Sequence, residues 1–239
     1  MSYDYKQSQR NILKILTSKT IVEQKVSIPM SKEDFSFENG IYAKTSAIFI
    51  DIVNSSVLFK RAKPEKLARM IRAFVTELIT ILKDDPNRRE IGIRGDCVYG
   101  IYSTPHKDDV RNVFDMACTV NSFLSMFGKI LEDNSLPKIT AGIGLGYDGH
   151  ELIIKTGFGD AGISDLVWIG DAVVDASKLS SEAGRNGHDS IFMDSGFFTR
   201  IRKGDAGKGK VNADLIDEAQ SDKLNETVYS TDAVTFDFS

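Results

Sequence analysis

The chain has 239 residues, 41% of them hydrophobic and 27% charged, with a formal net charge of −4. This composition excludes a disordered tract, a collagen-like repeat and a disulfide scaffold. A mass of 26.5 kDa is enough for a core that removes roughly 70% of the extended chain's surface from water. The excess of 34 acidic over 30 basic residues argues against a general nucleic-acid binder, though a local basic pocket remains possible. Cys97 and Cys118 have no metal-type spacing and read as free thiols of a reducing compartment. His106, His150 and His188 lie far apart in sequence and suggest no histidine metal cluster. The polar start MSYDYKQSQR lacks an apolar signal region, and no apolar run approaches the roughly 20 residues of a membrane span. A soluble, cytoplasmic protein that binds neither nucleic acid nor membrane is expected.

In chain order, residues 4–19 read as a short amphipathic helix with Ile12, Leu13, Ile15 and Leu16 as its apolar residues. Residues 20–42, with Pro29 and Gly40, read as an irregular arm, so 1–42 form an N-terminal helix and arm ahead of one domain over 43–239. The run AIFIDIV at 47–53 is a central strand covered on both faces, interrupted by Asp51. Residues 64–83 form a helix with Pro64 in its first turn and Leu67, Met70, Ile71, Phe74, Val75, Leu78 and Ile79 at 3–4 spacing. Two strands at 91–102 meet at Arg94-Gly95-Asp96, a hairpin signal. A long helix over 107–132 follows. Then come a strand at 138–148, a hairpin partner at 151–158, a strand at 166–170 and a helix at 171–183 closed by Gly184. A short strand at 190–194, a helical turn at 196–201, a mobile loop at 203–223 and an edge strand at 227–238 complete the chain. Strands that alternate with long helices around a central hairpin indicate one α/β or α+β domain with a mixed sheet.

Asp51 and Asp96 carry the chemistry. One lies inside an apolar strand, the other at the tip of the next two strands, so neighbouring strands would bring both carboxylates to one end of the sheet. Read singly, Asp51 is a helix cap and Asp96 an ordinary hairpin aspartate. Read together, they need a partner, because a buried carboxylate without one is costly. Oxygen-preferring divalent ions, Mg²⁺ or Mn²⁺, are the natural partners. Backbone N–H groups from Ile52 through Val53, Asn54, Ser55 and Ser56 would cradle phosphate oxygens, which makes a phosphoryl-transfer site.

At these residues the sequence resembles the class III nucleotide cyclase catalytic domain. Phe49-Ile50-Asp51-Ile52-Val53-Asn54-Ser55-Ser56 is similar to the family's first strand and hydroxyl-containing turn. Gly95-Asp96 is similar to the hairpin of the second metal aspartate. Gly170-Asp171-Ala172-Val173-Val174-Asp175-Ala176-Ser177-Lys178-Leu179 is similar to the later helix. Order and spacing match over about residues 43–200. The resemblance implies an α+β fold with a mixed sheet carrying helices on one side, and a homodimer with active sites at the shared interface. It also implies two divalent ions on Asp51, Asp96 and the Ile52 carbonyl, with Phe49, Ile52, Val53, Asn54, Ser55 and Ser56 at the substrate.

The departures matter. The family's transition-state Asn and Arg align with Val174 and Lys178, and Lys178 keeps the positive charge but not the bidentate fork. The adenine-reading Lys aligns with Gly92, and its partner with Val167, so the purine-reading pair is missing. Arg94 points either into the base pocket or to the surface. Trp168, Ile50 or Arg94 would narrow a pyrimidine pocket. These features are similar to the bacterial Pycsar pyrimidine cyclases, which implies conversion of UTP, or CTP, to the cyclic monophosphate. In that family the product activates a separate effector in anti-phage defence. Alternatives are an adenylyl or guanylyl cyclase, an inactive nucleotide-binding homologue, or a receiver-type module, which the hairpin at Asp96 disfavours. Gly142, Gly144 and Gly146 read as close helix packing rather than a nucleotide loop. Lys203, Lys208 and Lys210 form a basic loop, solvated or closing on the triphosphate. Trp168 reads as core or interface rather than a base platform.

Overall fold

The computed structural model describes residues 3–61, 63–158, 163–202 and 215–236. A mixed nine-stranded sheet runs through them, with β1 (Val22–Gln24), β2 (Gly40–Ile52), β3 (Arg88–Arg94), β4 (Cys97–Ser103), β5 (Ala141–Phe158), β6 (Ile163–Ile169), β7 (Ile191–Met193), β8 (Asp217–Ser221) and β9 (Glu226–Thr231). The strand order is β3-β4-β2-β5-β7-β9-β8, with β1 added to β2 and β6 to β5. Six helices join them: α1 (Tyr5–Thr17), α2 (Ser55–Arg61), α3 (Pro64–Leu82), α4 (Lys107–Asp133), α5 (Asp171–Ser180) and α6 (Ser195–Arg202). Among the described residues no helix is long and apolar enough to cross a membrane.

β2 alternates strictly, and that alternation builds both layers. Ile48, Ile50 and Ile52 point into the main core with Met70, Phe74, Leu78 and Leu82 of α3, the apolar side of α4, and Phe197, Phe198 and Ile201 of α6. Ala47 and Phe49 point the other way, against Ala172 and Ala176 of α5. Helices therefore lie on both sides of the sheet, not on one as the family resemblance implied. α3 begins at Pro64, which lacks only an N–H that a first turn leaves unpaired anyway. α4 begins with a capping box, in which the His106 N–H donates to Asp109 Oδ2 at 2.8 Å.

The expected hairpin of 138–148 with 151–158 is instead one strand of 18 residues, β5. Asp148-Gly149-His150 carries turn residues, but β2 is long enough to pair on both sides of them, from Gly40↔Ile154 to Ile52↔Ala141, with a bulge between Ala43 and Thr45. A backbone with ladder partners on both sides has no need to turn. The hairpin partner of β5 is β6. The strand expected from residue 47 begins at Gly40, and β1 pairs with it in parallel. Part of the expected loop at 203–223 is strand β8. Lys203, Lys208 and Lys210 lie outside the described residues.

Candidate active site

The site is assembled at one end of the central strands. Asp51 is the penultimate residue of β2 and pairs with Cys97 on one side and Gly142 on the other. Asp96 directly precedes Cys97 and shares the β3–β4 turn with Gly95, whose φ is 61°. The antiparallel register thus brings the two carboxylates together, as the sequence pattern predicted. Burial raises the Asp51 carboxyl above its ordinary range, and the Asp96 charge raises it further, while Arg185 opposes both.

Arg185 is the residue that sequence reading missed. Its Nη2 donates to Asp51 Oδ2 at 2.6 Å and to the Ile52 carbonyl at 3.2 Å. Its Nη1 donates to the carbonyls of Ser180 and Ala183 at 2.9 and 3.0 Å. The two side chains of the ion pair are only 20% and 24% exposed. The signal was faint: a lone arginine after Gly184, 134 residues from its carboxylate. α5 ends at Ser180, short of the expected 183, and Gly184, at φ 67°, lies in the turn beyond it against the Ala141 end of β5.

This arrangement tests whether a divalent ion fits. Asp51 Oδ2 and the Ile52 carbonyl already converge on one cationic nitrogen, so the pair of oxygens is set for a positive charge. Asp96 adds a second carboxylate, and all three are hard oxygen donors of the kind Mg²⁺ and Mn²⁺ take. Among the described residues no group of three or more Asp, Glu, His or Cys side chains gathers as a metal site, so here a main-chain carbonyl completes the set. The oxygens present therefore fit the implied ions, with the remaining positions left for substrate and water.

After Ile52 the chain turns through Asn54, at φ 55°, into α2, which opens with Ser55 and Ser56. The Val53 N–H does not belong to the expected phosphate cradle, because it donates to the Thr140 carbonyl at 2.9 Å. The cradle reduces to the turn at Asn54, Ser55 and Ser56.

The base side of the site lies on the same face as Asp51 and Phe49. Gly92 pairs directly with Tyr99, and the Tyr99 ring lies across it: a Cβ on Gly92 would fall 2.2 Å from Tyr99 Cζ. Phe49 stacks on Tyr99, with centroids 5.0 Å apart and planes at 11°. The Tyr99 hydroxyl donates to Glu90 Oε1 at 2.7 Å, and Trp168 Nε1 donates to Glu90 Oε2 at 3.1 Å. Burial, then the Glu90 bond, pushes the Tyr99 phenol up to about 12, so it remains a donor. Trp168 packs on a satellite core of Ile28, Phe35, Ile41, Ala43, Ile153 and Leu166, in line with its core reading. Ile50, expected as a candidate pocket wall, is fully buried in the main core on the opposite face and cannot line the site. Arg94 is exposed, and its charge acts on Cys97, Tyr99 and Asp165 at the rim of this wall.

α5 lies flat on β5 because the stripe Gly142, Gly144, Gly146 admits its backbone. A Cβ on Gly144 would sit 2.0 Å from the Ala176 carbonyl, and one on Gly146 2.1 Å from that of Ala172. The packing reading of this stripe therefore holds. The first N–H groups of α5 donate to side chains of β5, Asp171 N to Asp148 Oδ2 and Ala172 N to Glu151 Oε2. Glu151 is fully buried, and burial, then Asp148, pushes its carboxyl up to about 8. On the outer side of α5, Val174 is 44% exposed and Lys178 is also exposed.

No model of a known protein family matches the chain. Individual relatives do. A uridylate cyclase from Treponema porcinum is 40% identical over 218 residues, which span 90% of this chain and 76% of that protein. A second uridylate cyclase, from Gulbenkiania mobilis, is 34% identical over 186 residues, covering 74% of this chain and 71% of the relative. This chain belongs to the family of those cyclases. Among solved structures, an adenylyl cyclase from P. aeruginosa superposes with a TM-score of 0.63 at 18% identity, covering 80% of this chain and 94% of that one. A bacterial light-regulated adenylyl cyclase gives 0.61 at 18% identity, covering 81% and 92%. The fold is the class III cyclase fold.

Proposed function

We infer that this protein is a pyrimidine nucleotide cyclase, which converts UTP to 3′,5′-cyclic UMP and pyrophosphate. The observation that carries this reading is the Tyr99 ring lying over Gly92, braced by Phe49 and Glu90. The resemblance puts a base-reading side chain at that position in adenylyl cyclases, and here an aromatic wall fills the space. The wall shortens the base pocket to suit a single ring. The two relatives named uridylate cyclase support the same base. Arg94 at the rim supplies a donor-only side chain, which suits the O4 acceptor of uracil and opposes the 4-amino donor of cytosine.

Asp51, Asp96 and the Ile52 carbonyl would hold two divalent ions. Ions there lower the pKa of the ribose 3′-hydroxyl and neutralise the triphosphate. The 3′-oxygen gives its proton to water and bonds to the α-phosphorus, and the bond from that phosphorus to the pyrophosphate oxygen breaks. Asn54, Ser55 and Ser56 receive the outer phosphates. Lys178 of the partner subunit offsets the charge of the pentacovalent state. A second copy is required in this reading because Lys178 is exposed on the outer side of α5. Val167, Ile169 and Val174 add exposed apolar area in β6 and α5. The product would act on a separate effector in anti-phage defence.

Equal concentrations of UTP, CTP, ATP and GTP with Mn²⁺, with products resolved by mass, test the assignment. Cyclic UMP should dominate, with ATP disfavoured by at least about 30-fold. Dominant cyclic AMP or cyclic GMP would refute the pyrimidine reading. Absence of every cyclic product would favour the inactive homologue, for which Val174 in place of the family's Asn is the supporting residue.

A further inference from the structure

We propose that Arg185 is the resident counter-cation of the site, a gate that binding of a divalent ion must displace. This rests on the assignment of Asp51 and Ile52 as metal ligands. One guanidinium nitrogen takes both the Asp51 carboxylate and the Ile52 carbonyl, the same two oxygens an ion would use. An ion that takes Asp51 Oδ2 and the Ile52 carbonyl competes with the guanidinium for the same lone pairs and is repelled by its charge. The occupancy is specific, because the other guanidinium nitrogen is fixed by the carbonyls of Ser180 and Ala183, where α5 ends. Those bonds pre-orient the planar fork and keep the side chain beside the site after it lets go.

Without a cation, Asp51 would sit half-buried next to Asp96 with its charge uncompensated. That cost is the reason for a built-in partner. The same partner taxes metal affinity. The apparent affinity equals the intrinsic one multiplied by the fraction of molecules in which Arg185 has swung away. With the gate closed in most molecules the tax is about tenfold. It also links the site to α5, because the same guanidinium is bonded to carbonyls at the end of this helix, which carries Val174 and Lys178.

The test measures Mn²⁺ binding without nucleotide, from the loss of the free-ion electron paramagnetic resonance signal. It compares wild type, Arg185→Gln, Arg185→Ala and Asp51→Asn, each checked for folding by circular dichroism. Arg185→Gln keeps a donor for the Ser180 and Ala183 carbonyls and serves if the alanine variant is unstable. The expected result is about tenfold tighter Mn²⁺ binding in the Arg185 variants, loss of binding in Asp51→Asn, and a larger rise in unfolding temperature with Mn²⁺ than in wild type. Equal or weaker binding in both Arg185 variants, with Asp51→Asn still abolishing it, would overturn the gate and leave the metal assignment intact. Binding in wild type that Asp51→Asn does not reduce, or no binding in any variant, would overturn the gate and the metal assignment together.

Discussion

Replacing Gly92 by alanine should both destabilise the protein and loosen its choice of base. The added Cβ would lie 2.2–2.4 Å from two ring carbons and the hydroxyl oxygen of Tyr99, far inside contact distance, so the ring must rotate away. What it loses is set by what holds it. The stack on Phe49 contributes about 1 kcal/mol. The hydrogen bond to Glu90, charge-assisted but partly exposed, contributes about 1–2 kcal/mol. The sum of about 2–3 kcal/mol corresponds to a drop of roughly 4–12 °C in unfolding midpoint for a chain of this size. Tyr99→Phe keeps the ring and the stack, so it should lose only the hydrogen-bond share of that stability, about 1–2 kcal/mol, and keep its selectivity. Thermal unfolding and the ratio of cyclic AMP to cyclic UMP should then move together in Gly92→Ala, the ratio rising at least about fivefold. A Gly92→Ala protein that melts within about 1 °C of wild type with an unchanged product ratio would refute the wall.

Three further outcomes follow from the site. Asp51→Ala and Asp96→Ala should each lower turnover by at least about 10³-fold with an unchanged circular dichroism spectrum, and near-normal activity in either would remove it from the site. Mixing inactive Asp51→Ala with inactive Lys178→Ala should restore activity, because one site of each heterodimer is wholly wild type; exchange of subunits without activity would exclude a shared site. Glu151 has a folded pKa raised from 4.5 to about 8, so the unfolded chain ionises first and stability falls as pH rises from about 4.5 to 8, then levels. Glu151→Gln should flatten that slope by about 2 kcal/mol or more between pH 5 and 8, measured by denaturant unfolding, and an unchanged slope would assign the pH dependence elsewhere.

The parts of this molecule that were legible in sequence are those fixed by local pattern. Met70, Phe74 and Leu78 are buried as their spacing requires, and the Gly95-Asp96 tip is a hairpin because its turn chemistry is local. The Asp51–Asp96 meeting was legible because a single antiparallel register places both. What escaped depends on long-range partners. Asp148-Gly149-His150 signals a turn, yet β2 pairs through it, and nothing within β5 reports the length of β2. Arg185 carries no local pattern at all, and its role exists only because the turn after α5 brings its side chain to Asp51 of β2. Ile50 and Tyr99 show the same limit in a pocket. The face each side chain takes follows from strand parity, but which face carries the site is known only once α5 is seen to cover it.

In the proposed pyrimidine cyclase the wall and the rim would do different work in choosing a base. A braced aromatic ring excludes by size, and size separates one ring from two. It cannot separate uracil from cytosine, which have the same outline and differ in the direction of two hydrogen bonds. That second choice needs a polar group with one fixed sense. Glu90 is an acceptor on the right face, but both of its oxygens are engaged, by Tyr99 and by Trp168. Its bonds hold the wall rather than read the base. Tyr99 spends its only proton on Glu90, and the indole N–H of Trp168 is spent likewise. At the rim, Arg94 has a fixed sense, because guanidinium donates and never accepts. In the proposed site it would meet the O4 of uracil favourably and leave the 4-amino group of cytosine facing another donor. Rejection by an unmatched polar pair exceeds what a shape difference of one or two atoms provides. Arg94→Ala should therefore narrow the gap between UTP and CTP while ATP stays excluded. Gly92→Ala should do the reverse.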